Sequence, residues 1–352
     1  MPQSRNTRGS PRSTCWHVPN PILTFPCEGK GLSRSFAALP DTVTVVDHKE
    51  HPLSVLIVGS VAFDSIETAT GSDPRALGGS ATYGSVAASF FSPVRLVGVV
   101  GEDFDQENID LLASRGVDLE GLERKAGKTF FWAGKYSEDF SERETLTTDL
   151  NVFADFHPHI PESYRSTPYI FLANIAPNLQ QMVLEQTDEP MLVVADTMNL
   201  WIDIQRDDLQ ELLRSVDVFV LNDEEARMLT GETNLIRAGR RLLTYGPSRA
   251  IIKKGEHGAV SLTADSYFSA PAYPTQDVVD PTGAGDTFAG ALMGYLAAHD
   301  SASEEVIRRG IVLGSVVASF TVEGFGLDRL REIDEHAIEQ RYRELRSYCT
   351  VE

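Results

Sequence analysis

The sequence has few cysteines and no long apolar run. Its three cysteines, Cys15, Cys27 and Cys349, lie near the two ends of the 352 residues, a placement that supports neither a disulfide framework nor a zinc site. We therefore expect a reducing compartment, the cytoplasm. No stretch approaches the roughly 20 consecutive apolar residues that a membrane-spanning helix needs, so no membrane contact is expected.

Positive charge is also scarce. The chain has 31 Lys and Arg against 51 Asp and Glu, a formal net charge of −20. Nucleic acids and anionic membranes require clustered Lys and Arg, so neither is expected as a partner. An anionic small molecule would have to be bound by a local site.

Two familiar nucleotide-binding motifs are absent. No Gly-x-x-x-x-Gly-Lys-Ser/Thr string occurs, which excludes a P-loop. A dinucleotide fingerprint that begins at Gly283 and Gly285 would need a third glycine at position 288, which is Phe288. It would also open the first βαβ unit rather than lie near the end of the chain. A nucleotide-dependent oxidoreductase is therefore disfavoured.

The chain divides by composition into three parts. Residues 1–50 hold six Lys or Arg, four Asp or Glu and several prolines without sustained periodicity, and we expect a disordered or nonfunctional extension or a start codon assigned too early. The prolines argue against the helix of a transit peptide. Residues 53–330 are expected to form the main domain, and residues 331–352 a final helix packed on it.

Short apolar runs alternate with amphipathic stretches of helical length from residue 53 onward. The runs lie at 53–59, 94–100, 169–172, 191–194, 216–221 and 250–253. This order predicts an α/β fold with a mainly parallel central sheet and helices on both faces.

Three segments break the alternation, at 65–77, 128–136 and 144–152, with Thr, Phe and Trp but no helix between the last two. They predict a small β-sheet lid, formed near 65–77 and 128–152. Open α/β sheets bind ligands at the carboxyl ends of their strands, and we expect the lid above that edge.

The most informative segment is Asp280–Gly290, a glycine-rich turn followed by an apolar helical stretch. Glycines let backbone N–H groups approach an anion, and the start of a helix adds partial positive charge. Asp286 stands among those donors and is interpreted as the base that takes a proton from a hydroxyl during phosphoryl transfer. The alternative is that Asp286 is only a first-turn acid, which helix starts favour without any ligand.

Two further segments follow predicted strands. Asn222 and Glu225 open a helix, so that Glu225 is placed to hold Mg²⁺ through water, although helix capping alone explains both residues. Lys253, Lys254, Gly255 and Gly258 form a turn that suits a nucleotide, with lysines to neutralise phosphate. The same turn serves equally as a plain hairpin.

A candidate substrate end lies near the start of the domain. Asp64 follows the first strand, and Gly78 and Gly79 precede a helix that begins with hydroxyl-bearing residues, among them Ser80 and Tyr83. These groups provide hydrogen-bonding partners for substrate hydroxyls. The glycine pair is as readily a turn, and Tyr83 either stacks on a substrate or packs in the core.

Taken in their order along the chain, these four segments resemble the ribokinase-like (pfkB) family of carbohydrate and nucleoside kinases, over roughly residues 53–330. The resemblance implies an ATP-dependent kinase with Asp286 as the base and Gly283, Ala284 and Gly285 as the anion hole. It implies ATP-binding and substrate-binding roles for two sets of residues, the first Asn222, Glu225, Lys253, Lys254, Gly255 and Gly258 and the second Asp64, Gly78, Gly79, Ser80 and Tyr83.

The resemblance also implies cofactors and a partner. Mg²⁺ would accompany ATP near Glu225, and Asp280 and Gly324 fall where some members of the family bind K⁺ or another monovalent cation. In several members the lid forms a homodimer contact. We expect a small-molecule substrate, either a sugar, a polyol or a nucleoside.

Departures from the family pattern bear on the substrate. Ribokinases themselves carry Lys and Asn where this chain has Ser80 and Tyr83, which disfavours ribose. No Arg or Lys lies in the motif segments at this end, which favours an uncharged sugar or nucleoside, although Arg75, Lys135 or Arg143 of the predicted lid could reach a phosphorylated one. The alternatives are a nucleoside kinase of the adenosine kinase type and, in a different class, a noncatalytic sensor of sugar or nucleotide.

Overall fold

Strands and helices alternate through the part of the chain that the computed structural model describes, residues 53–140 and 142–350. The expectations for residues 1–50 lie outside these ranges. The strands are β1 Val55–Val58, β2 Ala62–Thr68, β3 Gly71–Gly78, β4 Val94–Val100, β5 Val117–Arg124, β6 Phe130–Tyr136, β7 Arg143–Asp149, β8 Tyr169–Leu172, β9 Leu192–Asp196, β10 Val218–Asn222, β11 Arg249–Lys253, β12 Ala259–Leu262 and β13 Tyr267–Ala270.

The helices α1 to α7 lie between strands along the chain, and α8 to α11 follow the last strand. They are α1 Ser80–Ala88, α2 Gln106–Ser114, α3 Pro177–Leu184, α4 Asn199–Ile204, α5 Arg206–Leu212, α6 Asp223–Thr230, α7 Leu235–Leu243, α8 Ala284–His299, α9 Glu304–Thr321, α10 Asp328–Glu332 and α11 Glu335–Cys349. Within the described ranges no helix has the length and apolarity to span a bilayer. A cytoplasmic location stays a prediction.

The apolar runs form one nine-stranded sheet in the order β13-β12-β11-β10-β9-β8-β1-β4-β5. The strands from β11 to β5 in this order are all parallel. At the other side of the sheet, β12 pairs antiparallel with both β11 and β13. Every residue of β1, β8 and β9 is buried, as expected for parallel strands covered on both faces. The predicted fold class is therefore confirmed.

Two apolar clusters occupy the two faces of the sheet. Along β1, Val55 and Ile57 belong to one cluster and Leu56 and Val58 to the other, because successive side chains of a strand point to opposite faces. The first cluster includes buried residues of α1, α8, α9 and α11, and the second includes residues of α3, α5, α6 and α7. Because the strands of this core are parallel, their carboxyl ends lie together at one end of the sheet, and the packing on both faces fixes them there.

A second, four-stranded sheet has the order β3-β2-β6-β7. It forms from the segments that broke the alternation. The third of those segments, predicted to extend to residue 152, forms strand β7, which ends at Asp149 and is followed by a short 3-10 turn, Asn151–Asp155. The edge strand β7 is exposed along its whole length. Tyr136 at the end of β6 lies 3.0 Å, hydroxyl to hydroxyl, from Thr282 beside the glycine-rich turn. The small sheet thus contacts the predicted site.

Helix α8 packs unusually closely on α1. A Cβ atom at Gly290 would lie 2.2 Å from the carbonyl oxygen of Gly84, and one at Gly294 would lie 2.5 Å from that of Ala88. Only glycine allows backbones to approach this closely. The contact fixes the position of α8 and therefore of the residues at its start.

This contact predicts a loss of stability in Gly290→Ala. Because the added methyl meets backbone rather than a movable side chain, we expect the free energy of unfolding to fall by about 2–3 kcal/mol, measured by urea denaturation. The control is Gly239→Ala in α7, where the methyl meets only side-chain atoms of Leu262 and no backbone. The higher helix propensity of Ala offsets part of that contact, so a smaller change, below about 1 kcal/mol, is expected. Equal losses in both variants would contradict the argument.

Candidate active site

The predicted motif residues converge on the carboxyl edge of the large sheet. The strands β9, β10 and β11 are neighbours there and end at Asp196, Asn222 and Lys253. The start of α8 lies against the same edge, because a Cβ atom at Gly285 would stand 2.9 Å from Nζ of Lys253. Residues far apart in sequence therefore share one site.

The turn before α8 requires glycine at its first position. Gly283 is the N-cap residue with φ 75°, a left-handed conformation that side chains disfavour. A Cβ atom there would also lie 2.4 Å from the ring of Tyr83. The backbone N–H groups of the following residues, Ala284 and Gly285, belong to the first turn, where helices leave donors for a ligand. The Ala284 N–H donates to the Pro281 carbonyl at 3.3 Å, so a ligand would have to replace that bond.

Asp286 lies in this first turn and is only partly buried. Burial and the negative charge of Asp196 raise the pKa of Asp286 to about 7, against the opposing effects of Lys253 and Arg143. A carboxylate with a pKa near neutrality is matched to taking and releasing a proton. Asp286 is the acid in the first turn of α8, so the alternative of a first-turn acid describes its position equally well, and its catalytic role stays a prediction.

Lys253 forms a buried ion pair with Asp196, a residue that the sequence analysis missed. The distance from Nζ of Lys253 to Oδ2 of Asp196 is 2.7 Å, and their side chains are 17% and 3% exposed. Burial lowers the pKa of Lys253, but the carboxylates of Asp196 and Glu225 outweigh this effect and raise it, so the ammonium stays charged at neutral pH. A single acid at the end of an apolar run was the only sequence signal for Asp196.

Asn222 and Glu225 form a complete capping box at the start of α6. Oδ1 of Asn222 accepts a hydrogen bond from the Glu225 N–H at 2.8 Å, and Oε2 of Glu225 accepts one from the Asn222 N–H at 2.7 Å. The capping alternative is thus observed. Burial also raises the pKa of Glu225 to about 7, against the opposing charge of Lys253, so the carboxylate lies in the same electrostatic field as the rest of the site.

The turn after Lys253 is a β-hairpin, as the alternative to a nucleotide-binding turn predicts. The Lys254 N–H donates to the Gly258 carbonyl at 2.7 Å, and β11 and β12 pair in antiparallel register. Gly255 and Gly258 have φ values of 54° and 78°. A Cβ atom at Gly258 would lie 2.1 Å from the carbonyl oxygen of Ala270 in β13, so the sheet itself requires this glycine.

At the predicted substrate end, Asp64 stands on β2 against the glycine pair. A Cβ atom at Gly78 would lie 1.9 Å from Oδ2 of Asp64, so Gly78 leaves the space that the carboxylate occupies. Burial, followed by the charges of Asp280 and Asp286, raises the pKa of Asp64 to about 8, while the N–H of Gly79 lowers it. These charge interactions place Asp64 in the same acidic region as Asp286.

The side chains of Ser80 and Tyr83 are used inside the protein. Oγ of Ser80 accepts from the Ser60 N–H at 3.2 Å and donates to the Asn174 carbonyl at 3.1 Å, which ties α1 to the ends of β1 and β8. The ring of Tyr83 is 1% exposed beneath Gly283. The stacking interpretation of Tyr83 is therefore wrong, because the ring has no open face, and the core-packing alternative holds.

Asp280 is fully buried beside the loop that contains Gly324. Its Oδ1 accepts from the Thr282 N–H at 2.8 Å, and its own N–H donates to the Val322 carbonyl at 3.2 Å. Oδ2 has no hydrogen-bond partner among the described residues, and burial raises the pKa of Asp280 to about 6. Among all the residues that the structure describes, no group of three or more His, Cys, Asp or Glu side chains could hold a metal ion.

Comparisons with known proteins agree with this architecture. The family model "pfkB family carbohydrate kinase" matches residues 53–329, and the chain therefore belongs to the pfkB family of carbohydrate kinases. Members of this family are phosphotransferases that act on hydroxyl groups of sugars or nucleosides. The predicted class, a kinase with an alcohol acceptor, is confirmed.

Individual relatives include sugar and nucleoside kinases. The chain is 30% identical to the cytidine kinase of Thermococcus kodakarensis over 74% of this chain and 94% of that protein. It is 36% identical to the ribokinase of Mus musculus over 30% of this chain and 34% of that one. The match that spans nearly a whole relative is thus to a nucleoside kinase.

Solved structures share the fold. The nucleoside kinase of Methanocaldococcus jannaschii superposes with a TM-score of 0.67 at 18% identity, covering 84% of this chain and 99% of that one. A protein from E. coli described as a ribokinase II, solved with ATP and Mg²⁺, gives 0.68 at 20% identity over 83% and 99%. At these identities the likeness concerns the fold.

Proposed function

We propose that this protein transfers the γ-phosphoryl group of ATP to a hydroxyl of an uncharged sugar or polyol, with a nucleoside as the alternative acceptor. The observation that carries the proposal is the position of Asp286, a partly buried acid with a pKa of about 7 at the amino terminus of α8. The turn Gly283–Gly285 that precedes it suits an anion. Asp64 lies on the acceptor side and Lys253 on the nucleotide side.

In the proposed reaction an acceptor hydroxyl lies between Asp286 and the terminal phosphate. The acceptor oxygen forms a bond to the γ-phosphorus as the bond to the ADP oxygen breaks, and the hydroxyl proton passes to the carboxylate of Asp286. The Gly285 N–H stabilises negative charge on the transferring group, together with the Ala284 N–H once the phosphate replaces the Pro281 carbonyl as its acceptor. The raised pKa of Asp286 favours acceptance of that proton.

The residues around Glu225 fit Mg²⁺ bound with ATP. One carboxylate oxygen, Oε2, accepts the Asn222 N–H, so Mg²⁺ would be held by Glu225 through retained water, as this ion prefers. When bound, it would supply positive charge to the phosphates. Lys253, Lys254, Gly255 and Gly258 would line the nucleotide.

A monovalent cation such as K⁺ fits the loop beside Asp280. Oδ2 of Asp280 is a buried carboxylate oxygen without a hydrogen-bond partner among the described residues, and a buried acceptor left unpaired is unfavourable. A cation held by this oxygen and by neighbouring loop carbonyls, with Gly324 nearby, would satisfy it. Asp280 precedes Gly283 by three residues, so the cation would stabilise the segment that leads into the anion hole.

The small sheet offers a surface for homodimer formation. Its edge strand β7 is exposed, Leu146 on that strand is 53% exposed, and Leu150 directly after it is 45% exposed. Unpaired strand edges bind other strands readily. A homodimer through this lid would have twice the mass of the chain by light scattering, and a monomer at micromolar concentration would contradict it.

The central prediction concerns Asp286→Asn. Removing the proton acceptor should lower kcat for ADP formation by roughly 10²–10⁴-fold, while calorimetry still shows ATP binding. The control is Asp334→Asn, at the N-cap of α11, which should keep full activity. Near-normal turnover of Asp286→Asn would refute the role of Asp286. Wild-type binding without any turnover would favour the noncatalytic sensor.

The pKa of Asp286 predicts a pH dependence. Its folded-state pKa is raised to about 7, so the carboxylate is ionised and active above that pH and protonated below it. We expect kcat/KM, which reports the ionisation of the free enzyme, to fall about tenfold per pH unit below roughly pH 7, and protonation of Glu225 acts in the same direction. Circular dichroism between pH 5.5 and 8 controls for unfolding. A kcat/KM that stays constant down to pH 5.5 would contradict the assignment.

The acceptor is identified by an ADP-release screen over pentoses, hexoses, inositols and nucleosides, with and without K⁺. We expect turnover with an uncharged acceptor that has adjacent hydroxyls, because with a pKa of about 8 the Asp64 carboxyl group is mostly protonated at neutral pH and can donate one hydrogen bond and accept another. Asp64→Ala should raise KM for that acceptor by roughly tenfold or more, with the Kd for ATP unchanged. A preference for phosphorylated sugars, or an unchanged KM, would contradict this placement of the substrate.

A further inference from the structure

A buried ion pair crosses the end of a strand to which neither partner belongs. Asp196 ends β9 and Lys253 ends β11, while β10 lies between them in the sheet. The Lys253 side chain therefore passes over the carboxyl end of β10, where Glu225 lies, to reach Asp196 at 2.7 Å. The other carboxylate oxygen of Asp196 accepts the Thr197 N–H at 2.9 Å, so the acid is fixed at both oxygens.

Stability alone gives little reason for this pair. Removing two charges from water offsets much of their attraction, and apolar residues of similar volume often replace a buried pair without loss. A second buried cation on the same strand, Arg249, lies at the opposite end of β11 and pairs with Glu304 on α9. The fold thus forms an ion pair at each end of β11, but only one of them faces the site.

The ammonium group of Lys253 lies against the anion-binding turn. Its Nζ would be 2.9 Å from a Cβ atom at Gly285, so a side chain at that position would displace it. An ammonium carries three N–H donors, and the pair with Asp196 uses one. The other two N–H donors of the Lys253 ammonium group are therefore available to an anion bound at the Gly283–Gly285 turn.

We propose that Asp196 is a positioning residue whose buried carboxylate holds the Lys253 ammonium beside Gly285, where it binds the γ-phosphoryl group during transfer. This inference rests on the proposed kinase function and adds a cation to the anion hole of Gly283, Ala284 and Gly285. A cation at this place stabilises charge on the transferring group most strongly when its position is fixed beforehand. Asp196 provides that fixation and does not contact the substrate.

A double-mutant cycle tests whether Asp196 acts through Lys253. Lys253→Met should lower kcat by roughly a hundredfold, and Asp196→Asn by roughly tenfold, with KM for the acceptor changed less than about threefold in each. The cycle is measured at about pH 8.5, where Asp286 is ionised whether or not Asp196 is charged. In the Lys253→Met background, Asp196→Asn should then change kcat by less than about twofold, because the residue it positions is gone. Equal tenfold losses in both backgrounds would overturn the proposal.

The double variant also separates function from folding. Lys253→Met leaves Asp196 buried without its partner, which lowers the unfolding midpoint, and removal of the acid charge in the double variant should restore it. The matched controls are Arg249→Met and Glu304→Gln, at the far end of β11. They should lower the unfolding midpoint while kcat stays within about twofold. A loss of kcat in these controls equal to that in Lys253→Met would show that any pair on β11 acts through stability, against the proposal.

Nucleotide affinity tests the place of the ammonium without turnover. Calorimetry should show that Lys253→Met raises the Kd for ATP by roughly tenfold or more and the Kd for ADP by less than about threefold, because only ATP carries the γ-phosphate. Equal losses for both nucleotides would overturn the placement. If the wild-type protein turns over no acceptor, the proposed kinase function fails, and this ratio still decides where the ammonium lies.

Discussion

The site depends on the seating of one helix. Helix α8 is buried along nearly its whole length, and at Gly290 and Gly294 its backbone contacts that of α1 without intervening side chains. Its amino terminus is therefore fixed, and Gly283 adopts a left-handed conformation directly over the Tyr83 ring, where a Cβ atom would clash. Asp286 inherits its position from this packing, not from a flexible loop.

Burial raises the pKa values of the acids at the site. Four acids, Asp64, Glu225, Asp280 and Asp286, all have pKa values raised to between about 6 and 8, in each case chiefly by burial. Such a group of acids attracts protons and cations, which suits a proton acceptor and repels free phosphate. Lys253 is a cation buried among these carboxylates, and with the N–H groups of α8 it makes the region able to receive a nucleotide. The net charge of −20 gives no hint of this local arrangement.

Much of the fold follows from local pattern. The buried parallel strands are apolar runs, and the break in that pattern at 65–77 and 128–152 marks the small sheet. Strand β5 was not among the predicted runs, because its sequence mixes charged residues with Val117 and Leu122 and is partly exposed at the edge of the sheet. Edge strands lack the continuous apolar run that identifies central ones.

Site residues that belong to short sequence motifs could be predicted from the sequence. Residues whose roles depend on contacts with distant segments could not. Asp286, Gly283 and the Asn222–Glu225 pair stand in short motifs, so the sequence indicated them, although their catalytic roles stay predictions. The burial of Tyr83 depends on Gly283, 200 positions away in sequence, and the hydrogen bonds of Ser80 depend on Asn174. Asp196 shows its relevance only through Lys253. No local pattern carries such contacts.

The most direct measurement is a crystal structure of the protein with a nonhydrolysable ATP analogue, Mg²⁺ and the accepted substrate. The account predicts that the reacting hydroxyl lies within about 3.2 Å of a carboxylate oxygen of Asp286, with the terminal phosphate of the analogue against the Gly283–Gly285 turn. A hydroxyl more than about 5 Å from Asp286, or a phosphate bound elsewhere, would contradict it.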